Sequence, residues 1–349
     1  MKSSNYFFPK WKKKNISRFC EIKSTASYKL ENSINNEEII EKYNLPFKAS
    51  IIFNSIGVES RYIADERQSD SDILVVAANK CLNNYGIKAD DLSRVIVNKF
   101  YGDNLLPMTA SNLQLKLESS TAVHAFDIDG GISSFLHAFD AAIRFISTGD
   151  ENILIASGGV ISKFISKNDP RVAFLFGDAA ASILLGYSEE QHVLASYSYS
   201  NYEYYELATA ISPLTLVDMR ESLSVEEQMN LIYETYRMDN WKNSEEFYRK
   251  VVLAVSENLF SESGLGIDDI DLVLVTENNR KIWELSLETL GVGEEKSLSL
   301  LKDHGNTMSA MLPLLLDYGY STGKIQKGMN IMLLSHGEGL SGGGIIYKV

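Results

Sequence analysis

The sequence predicts an α/β protein assembled from two similar halves, and three observations carry that prediction. The segments Gly86-Ile87-Lys88-Ala89-Asp90-Asp91-Leu92-Ser93-Arg94-Val95-Ile96-Val97 and Gly264-Leu265-Gly266-Ile267-Asp268-Asp269-Ile270-Asp271-Leu272-Val273-Leu274-Val275 share the pattern G-φ-x-x-D-D-φ-x-x-V-φ-V, with φ apolar, 178 positions apart (264 − 86). Asn152-Ile153-Leu154-Ile155-Ala156-Ser157 and Asn330-Ile331-Met332-Leu333-Leu334-Ser335 keep that same spacing, and glycine-rich turns follow both. Residues 123–147 read as strand, turn and helix. Val123 to Ile128 is a short, mostly apolar run that reads as a buried strand, and Asp129-Gly130-Gly131 is a tight turn. Ile132, Phe135, Leu136, Phe139, Ile143 and Ile146 then recur at helical spacing. Two matches at one offset, close to half the chain length, indicate an internal duplication in which each half is a βαβ-type unit.

The elements follow in order. Residues 1–14 hold Lys10, Lys12, Lys13 and Lys14 without an apolar core and cleavage site behind them, so they read as an extension and not a signal peptide. The first half is expected over 15–190 and the second over 191–349. Residues 15–30 read as a strand with its return and Glu37 to Tyr43 as a short helix. Ser69-Asp70-Ser71-Asp72 can cap a helix with Ile73, Leu74, Ala77, Ala78, Cys81 and Leu82 on one face. The stretch from Glu189 to Ser224, rich in Tyr and Ser, reads as a crossover. Ser224 and Glu227 can form a capping box for a following helix, and a long helix covers about Ser244 to Ser261. Tyr233, Tyr236, Trp241 and Phe247 read as core or crevice wall. At offset 178 the helix Ile132–Ser147 pairs with Ala310–Ile325, which follows Asp303-His304-Gly305-Asn306-Thr307. Both helices start at glycine, and their free N–H groups and positive dipole ends would face any ligand at the junction.

Composition narrows the function. The chain has 349 residues, 45% hydrophobic and 23% charged, enough for a large two-part core. No run approaches the ~20 apolar residues of a membrane span, and a net charge of −13 argues against general nucleic-acid binding. Cys20 and Cys81 form neither a disulfide framework nor a metal spacing, which fits a reducing cytoplasm. No cofactor or metal motif is present, and the glycine-rich C-terminal run lacks the Lys-Ser/Thr of a nucleotide loop.

Several motifs resemble one family in the right order. Gly177 to Gly186, GDAAASILLG after Phe174-Leu175-Phe176, resembles the FGDGAGA turn of the β-ketoacyl-acyl carrier protein synthases III. The segment beginning Gly305-Asn306-Thr307 is similar to that family's GNTSAAS helix, and Ile56-Gly57-Val58-Glu59-Ser60-Arg61 to its TGI-x-x-R. Phe126-Asp127-Ile128 through Phe135 lies along its FD-I-x-A-A-C-S-G-F without a gap. The resemblance covers about residues 15–349 and implies the thiolase fold: five αβαβα layers built from two duplicated halves.

It also implies a condensation of an acyl-thioester with malonyl-carrier protein by Cys, His and Asn, and here the chain departs. The cysteine takes the acyl group at a helix N-terminus, and the His and Asn bond the thioester carbonyl. Ile132 occupies the cysteine's place, Thr276 the histidine's in H-Q-A-N-x-R-I, and only Asn306 persists. In the oxyanion-loop FGGG, represented by His336-Gly337-Glu338-Gly339, Glu338 stands among the glycines. The family's adenine-clamping Trp and Arg have no match in Ile51 to Ile56, whereas Arg61 and Arg171 sit where family arginines lie.

The expected function is therefore a non-condensing subunit. It would pair with an active synthase III-like paralogue, or with itself, and shape the acyl tunnel in a fatty-acid or polyketide-type secondary-metabolite pathway. The alternative is an acyltransferase with altered chemistry. Ser133 and Ser134, just after the lost cysteine, would then be nucleophiles, with Glu277, His304 or Glu338 as base. A third reading is a module that holds acyl carrier protein through Lys163, Lys167 and Arg171, or through Arg280 and Lys281. Arg61, Arg171, Arg280 and Lys281 are the candidate carrier or pantetheine contacts.

Overall fold

The structure, a computed structural model, describes residues 19–120, 123–129, 131–167, 169–201, 208–209, 224, 240–241, 245–337 and 341–349. The extension 1–14, the helix expected after Ser224, Tyr233 and Tyr236 lie outside these residues, and Trp241 is described in its backbone alone. The first half runs β1 (Cys20–Tyr28), β2 (Asn32–Asn35), α1 (Asn36–Tyr43), α2 (Ala49–Ile56), β3 (Ser60–Ile63), α3 (Asp70–Tyr85), β4 (Arg94–Asn98), α4 (Thr109–Lys116), β5 (His124–Ile128), α5 (Ser134–Ser147), β6 (Asn152–Gly159), α6 (Pro170–Ala173) and β7 (Ala179–Tyr187). The second runs β8 (Val193–Ser200), α7 (Glu245–Ser263), β9 (Leu272–Val275), α8 (Arg280–Leu290), α9 (Leu301–His304), α10 (Met311–Ser321), β10 (Asn330–Gly337) and β11 (Ser341–Lys348).

The duplication is visible in the hydrogen bonds. The first sheet has the order β1-β7-β6-β4-β5 and the second β8-β11-β10-β9, with Ser297 bridged to Val273 where a fifth strand would stand. In both, the last-formed hairpin is antiparallel and the inner pair parallel. Arg94 pairs with Ile153 in one sheet and Leu272 with Ile331 in the other, so the register itself repeats at 178. The Asp-Asp turn repeats too. Asp91 accepts the N–H of Lys88 at 2.9 Å, and Asp269 that of Gly266 at 2.8 Å. The side-chain amides of Asn152 and Asn330 donate to the carbonyls of Asp91 (3.2 Å) and Asp269 (3.0 Å). The D-D motif and the strand's leading Asn are thus one device used twice: a carboxylate closes the turn, and an amide fastens the neighbouring strand to it.

Alternation along the strands sorts the core into layers. Ile96, Ile153, Ile155, Leu272, Leu274, Ile331 and Leu333 face a central layer made by α5 and α10. Val95, Val97, Leu154 and Ala156 face α3 and α4. Val273, Val275, Met332 and Leu334 face α7 and α8. This is the αβαβα sandwich of the thiolase fold. The helices form where periodicity placed them: Ser69 and Asp72 make the capping box of α3, Gly86 ends it in the left-handed region (φ 85°), and its six predicted apolar residues are buried. Phe247 is in the core. Cys20 and Cys81 are buried free thiols. A short helix, α2, went unpredicted in the stretch from Phe47 to Arg61.

Three expectations need correction. Among the described residues, 15–30 hold one strand, β1, whose partner is β7 and not a return of its own. The stretch from Glu189 read as a crossover contains β8, which pairs with β11. The run Val123 to Ile128 reads as buried, yet β5 is the outer strand of its sheet, paired on one side to β4, with His124 exposed and Phe126 and Ile128 half-buried. Apolarity there marks an edge, not an interior.

The halves meet closely at Gly177, where a Cβ would lie 2.1 Å from the His304 carbonyl oxygen and 2.9 Å from Arg61 Cβ. Backbone cannot yield that distance without shifting a loop. Gly177→Ala is expected to cost about 2–4 kcal/mol. Gly86→Ala, at a left-handed residue with open space around it, should cost about 1 kcal/mol. Urea denaturation of both variants checks this, and equal losses would contradict the tight junction.

Candidate functional site

Three loops converge where α5 begins. Gly131, at φ 66°, turns the chain into a single 3₁₀ turn, Gly131–Ser133, from which α5 continues. Ser133 and Ser134 are fully buried and their hydroxyls are committed. The Ser335 hydroxyl of β10 donates to Ser133 Oγ at 3.0 Å, and Ser134 Oγ donates to the Gly131 carbonyl. Ile132 is half-buried and packs in a cluster with Met308, Phe100, Tyr101, Ile161 and Phe176. It is an apolar contact at a place where the free N–H groups of a helix would otherwise favour a thiolate.

The second loop leaves β9. Thr276 Oγ1 accepts the N–H of His336 at 3.3 Å, which follows Ser335 on β10. Asn279 caps α8, its Oδ1 accepting from the N–H of Ile282 at 3.0 Å. The third loop leads into α10. The Asn306 amide donates to the Asn278 carbonyl at 3.3 Å and accepts the N–H of Met308 at 2.8 Å. That second bond holds Met308 in the left-handed region, at φ 55°, with its side chain buried against the Ile132 cluster. Contacts therefore run Ser133–Ser335–His336–Thr276 on one side and Asn278–Asn306–Met308–Ile132 on the other. Ile132, Thr276 and Asn306 belong to one constellation.

A small cavity borders Met308. Lined by Asp70, Phe100, Tyr101, Thr307, Met308 and Ser309, it measures about 10 Å³, the room of one water. The Asp70 carboxylate accepts the N–H of Val160 (2.8 Å) and of Gly102 (3.0 Å), and burial pushes its pKa up to about 6.

The bases proposed from sequence lie elsewhere. Glu277 is buried, but its carboxylate accepts the Ser299 hydroxyl and the N–H of Leu300 (2.9 Å), so it closes the loop before α9 and does not address Ser133. His304 tilts its ring against Tyr62 at 5.1 Å, and burial lowers its pKa. Glu338 lies outside the described residues. Among the described residues, neither Glu277 nor His304 is bonded to the serines, whose hydroxyls meet Ser335 and the Gly131 carbonyl.

Of the cationic residues, Arg61 is corrected. It is 1% exposed, and its guanidinium turns inward onto the carbonyls of Ile34 and Phe174 and the Asn36 amide oxygen. No carrier protein can touch it there. Arg171 is exposed and bonds Asp169 through Nε and Nη2, both at 2.8 Å. Arg280 and Lys281 are exposed in the first turn of α8, paired with Glu284 (2.6 Å) and Glu245 (2.7 Å).

Sequence reasoning missed a polar cluster behind this site. His336 is fully buried, its ring set edge-on to Tyr248 at 5.0 Å. Ser286 Oγ lies 2.7 Å from the Ile282 carbonyl and 2.8 Å from His336 Nε2. The hydroxyl has one proton, and the carbonyl takes it, so His336 donates from Nε2. Burial pulls its pKa down to about 4 and keeps the ring neutral. Ser286 and Tyr248 sit in ordinary helical patterns, and nothing in their spacing distinguishes them.

Comparison with known proteins agrees with this architecture. Residues 126–201 match the family described as 3-oxoacyl-[acyl-carrier-protein] synthase III, and residues 260–349 match its C-terminal part. A beta-ketoacyl-[acyl-carrier-protein] synthase III of Neisseria gonorrhoeae is 26% identical over 332 residues, covering 95% of this chain and 99% of that one. A 3-oxoacyl-[acyl-carrier-protein] synthase III of Aquifex aeolicus superposes with a TM-score of 0.82 at 24% identity, over 95% of this chain and all of that one. The priming β-ketosynthase of the R1128 polyketide biosynthetic pathway gives 0.80 at 20% identity over 99% of both chains. The chain is synthase III-like, with the thiolase fold.

Glu277 supplies a test of the polar framework. Its pKa is pushed up to about 7 by burial, against 4.5 for the free group. The folded state therefore holds the proton more tightly, and the group's stabilising contribution is full below about pH 4.5 and lost as pH rises through 7. Each pKa unit is worth about 1.4 kcal/mol. Glu277→Gln keeps an acceptor for Leu300 and offers a donor to Ser299. The variant should gain about 1–3 kcal/mol over the parent at pH 8 and little at pH 5. Melting curves at both pH values check this; an identical difference at each would contradict it.

Proposed function

We propose that this synthase III-like chain is a non-condensing subunit, which pairs with a catalytically active paralogue in fatty-acid or polyketide-type biosynthesis. One observation carries the reading: Ile132 stands at the start of α5, packed into an apolar cluster. Acyl transfer needs a group there that can attack a thioester carbonyl, hold the acyl chain and release it again. An aliphatic side chain can do none of these. Ser133 cannot substitute readily, because one residue along a helix turns the side chain by about 100°, and its hydroxyl is already bonded to Ser335. Thr276 is uncharged and engaged with the His336 N–H, so it lacks the imidazole's capacity to support decarboxylation.

The partner follows from the opposite side of the same strand. Among the described residues β5 has one hydrogen-bonded neighbour, β4, on one edge. α4 packs on it, and Leu105, Leu106 and Leu115 in and before α4 are 96%, 85% and 74% exposed. A free edge beside large exposed leucines favours association with another chain. A second thiolase-fold subunit supplies a matching strand, and this chain then completes the dimer and helps shape the neighbour's acyl tunnel. The relatives carry the names of synthases; Ile132 and Thr276 stand where the family motif has its Cys and His. Acyl carrier protein would meet the active neighbour, with Arg280, Lys281 and Arg171 at the surface as this chain's possible contributions to its docking.

Intact-protein mass spectrometry after incubation with acetyl-CoA and longer acyl-thioesters tests the chemistry. The chain should stay unmodified, whereas Ile132→Cys should acquire the acyl group about tenfold or more above it, because a thiol there gains the helix N-terminus. A stable adduct on Ser133 or Ser134 of the unaltered chain would establish the serine-based acyltransferase instead. Co-expression with a paralogous synthase should yield a heterodimer that Leu106→Asp disrupts. A stable homodimer that ignores the paralogue would overturn the pairing.

A further inference from the structure

A second polar site lies away from the α5 helix start. A groove of about 280 Å³ runs between α1, β3 and residues 162–176, with space for about nine waters. Ile39, Ile63 and Phe176 give it an apolar wall. Arg61 also lines it, and this residue is 1% exposed. Its Nη1 and Nη2 donate to two carbonyls and the Asn36 amide oxygen, all neutral acceptors, and its Nε has no hydrogen-bond partner among the described residues. Burial alone draws its pKa down to about 10, with no acidic neighbour acting on it. The guanidinium therefore remains charged at neutral pH. A buried cation without a counter-charge is a costly arrangement.

The rim adds to the imbalance. Lys42, Lys163 and Lys167 line the groove against a single carboxylate, Glu66. They are also held in place. Lys163 Nζ donates to the carbonyls of Glu66 (2.8 Å) and Gln68 (2.6 Å), and Lys167 Nζ to that of Ser162 (2.8 Å). Lys42 Nζ lies 5.5 Å from the centre of the Tyr43 ring. On a chain of net charge −13, four cations around one apolar slot form a local reversal of sign. Lys167 also acts on the buried Asp178, so the excess rests chiefly on Arg61, Lys42 and Lys163.

We propose that this groove binds an amphiphilic anion. A short aliphatic chain would lie along Ile39, Ile63 and Phe176, and a carboxylate or phosphate head would supply the counter-charge missing at Arg61 and meet Lys42 and Lys163. A planar guanidinium with an open N–H suits both heads. None of Ile132, Thr276 and Asn306 lines the groove, although its wall residue Phe176 belongs to the apolar cluster that Ile132 packs against and is bridged to Asn306.

Titration calorimetry of the full chain with octanoate, octyl phosphate, 1-octanol and inorganic phosphate tests the site. One or both amphiphilic anions should bind, the tighter one naming the head group, with octanol and inorganic phosphate about tenfold weaker or more. The double variant Lys42→Ala/Lys163→Ala should still melt cooperatively without ligand and lose about tenfold in affinity. Raising the salt should weaken the parent's binding more than the variant's. Failure of both anions to bind at millimolar concentration, equal binding of octanol, or unchanged affinity in the double variant would each overturn the proposal.

Discussion

The layer formed by α5 and α10 between the two sheets is the contact on which the rest of the molecule depends. Phe135, Leu136, Phe139 and Ile143 of one helix, and Met311, Leu312, Leu315 and Leu316 of the other, are buried against strands from both halves. Each such side chain is worth about 1.5–3 kcal/mol when fully removed from water, and neither half could bury its own helix alone. The layer also fixes direction. Each helix follows a loop at the strands' carboxyl ends, so both N-termini open on the same region between the sheets. The site geometry is thus a by-product of how a duplicated unit must close its core, and it persists whether or not a nucleophile is present.

That origin explains what could be read in advance. The fold was legible because the duplication left two linear records, the Asp-Asp turn and the Asn-led strand, whose side chains make the same bonds in each half. Helical periodicity did the same for α3 and α5. The edge position of β5 was not legible, since a short apolar run looks alike when buried by its own sheet and when awaiting a partner. The places of Ile132, Thr276 and Asn306 were recoverable through motif spacing. The company they keep was not. Ser335 meets Ser133 across 202 residues of sequence, and Ser286 meets His336 across 50; no local pattern encodes such pairings. Glu277 looked like a base for the same reason, because a carboxylate's neighbours decide its role and they come from a distant turn.

The buried carboxylates share one employment. Asp178 accepts the N–H groups of Ala64 and Ser162, both at 2.8 Å, together with the Ser162 hydroxyl. Asp70 accepts from Val160 and Gly102, and Glu277 from Ser299 and Leu300. Each ties together loops that carry the helix starts, and the backbone donors partly offset the desolvation that raises each pKa. Perturbed acids near a cleft commonly suggest catalysis. Here their oxygens are already occupied by backbone, which is the pattern of a framework. Arg61 is the exception, since its charge meets only neutral acceptors.

An apolar side chain at the start of α5 has a consequence for the junction of the halves. A reactive thiolate at a helix start must be kept accessible beside an open chamber, and such sites are held at some expense of stability. Ile132 packs against the apolar cluster that holds Met308, Ile161 and Phe176, and Ser133 accepts a buried hydrogen bond from Ser335 of the opposite half. Both contacts stabilise the junction of the halves. The outer face is different in kind: among the described residues β5 pairs on one edge, with β4, and Leu105, Leu106 and Leu115 stand exposed before and in α4. The interior is closed by hydrogen bonds and apolar packing, whereas a strand edge and exposed leucines favour association with another chain.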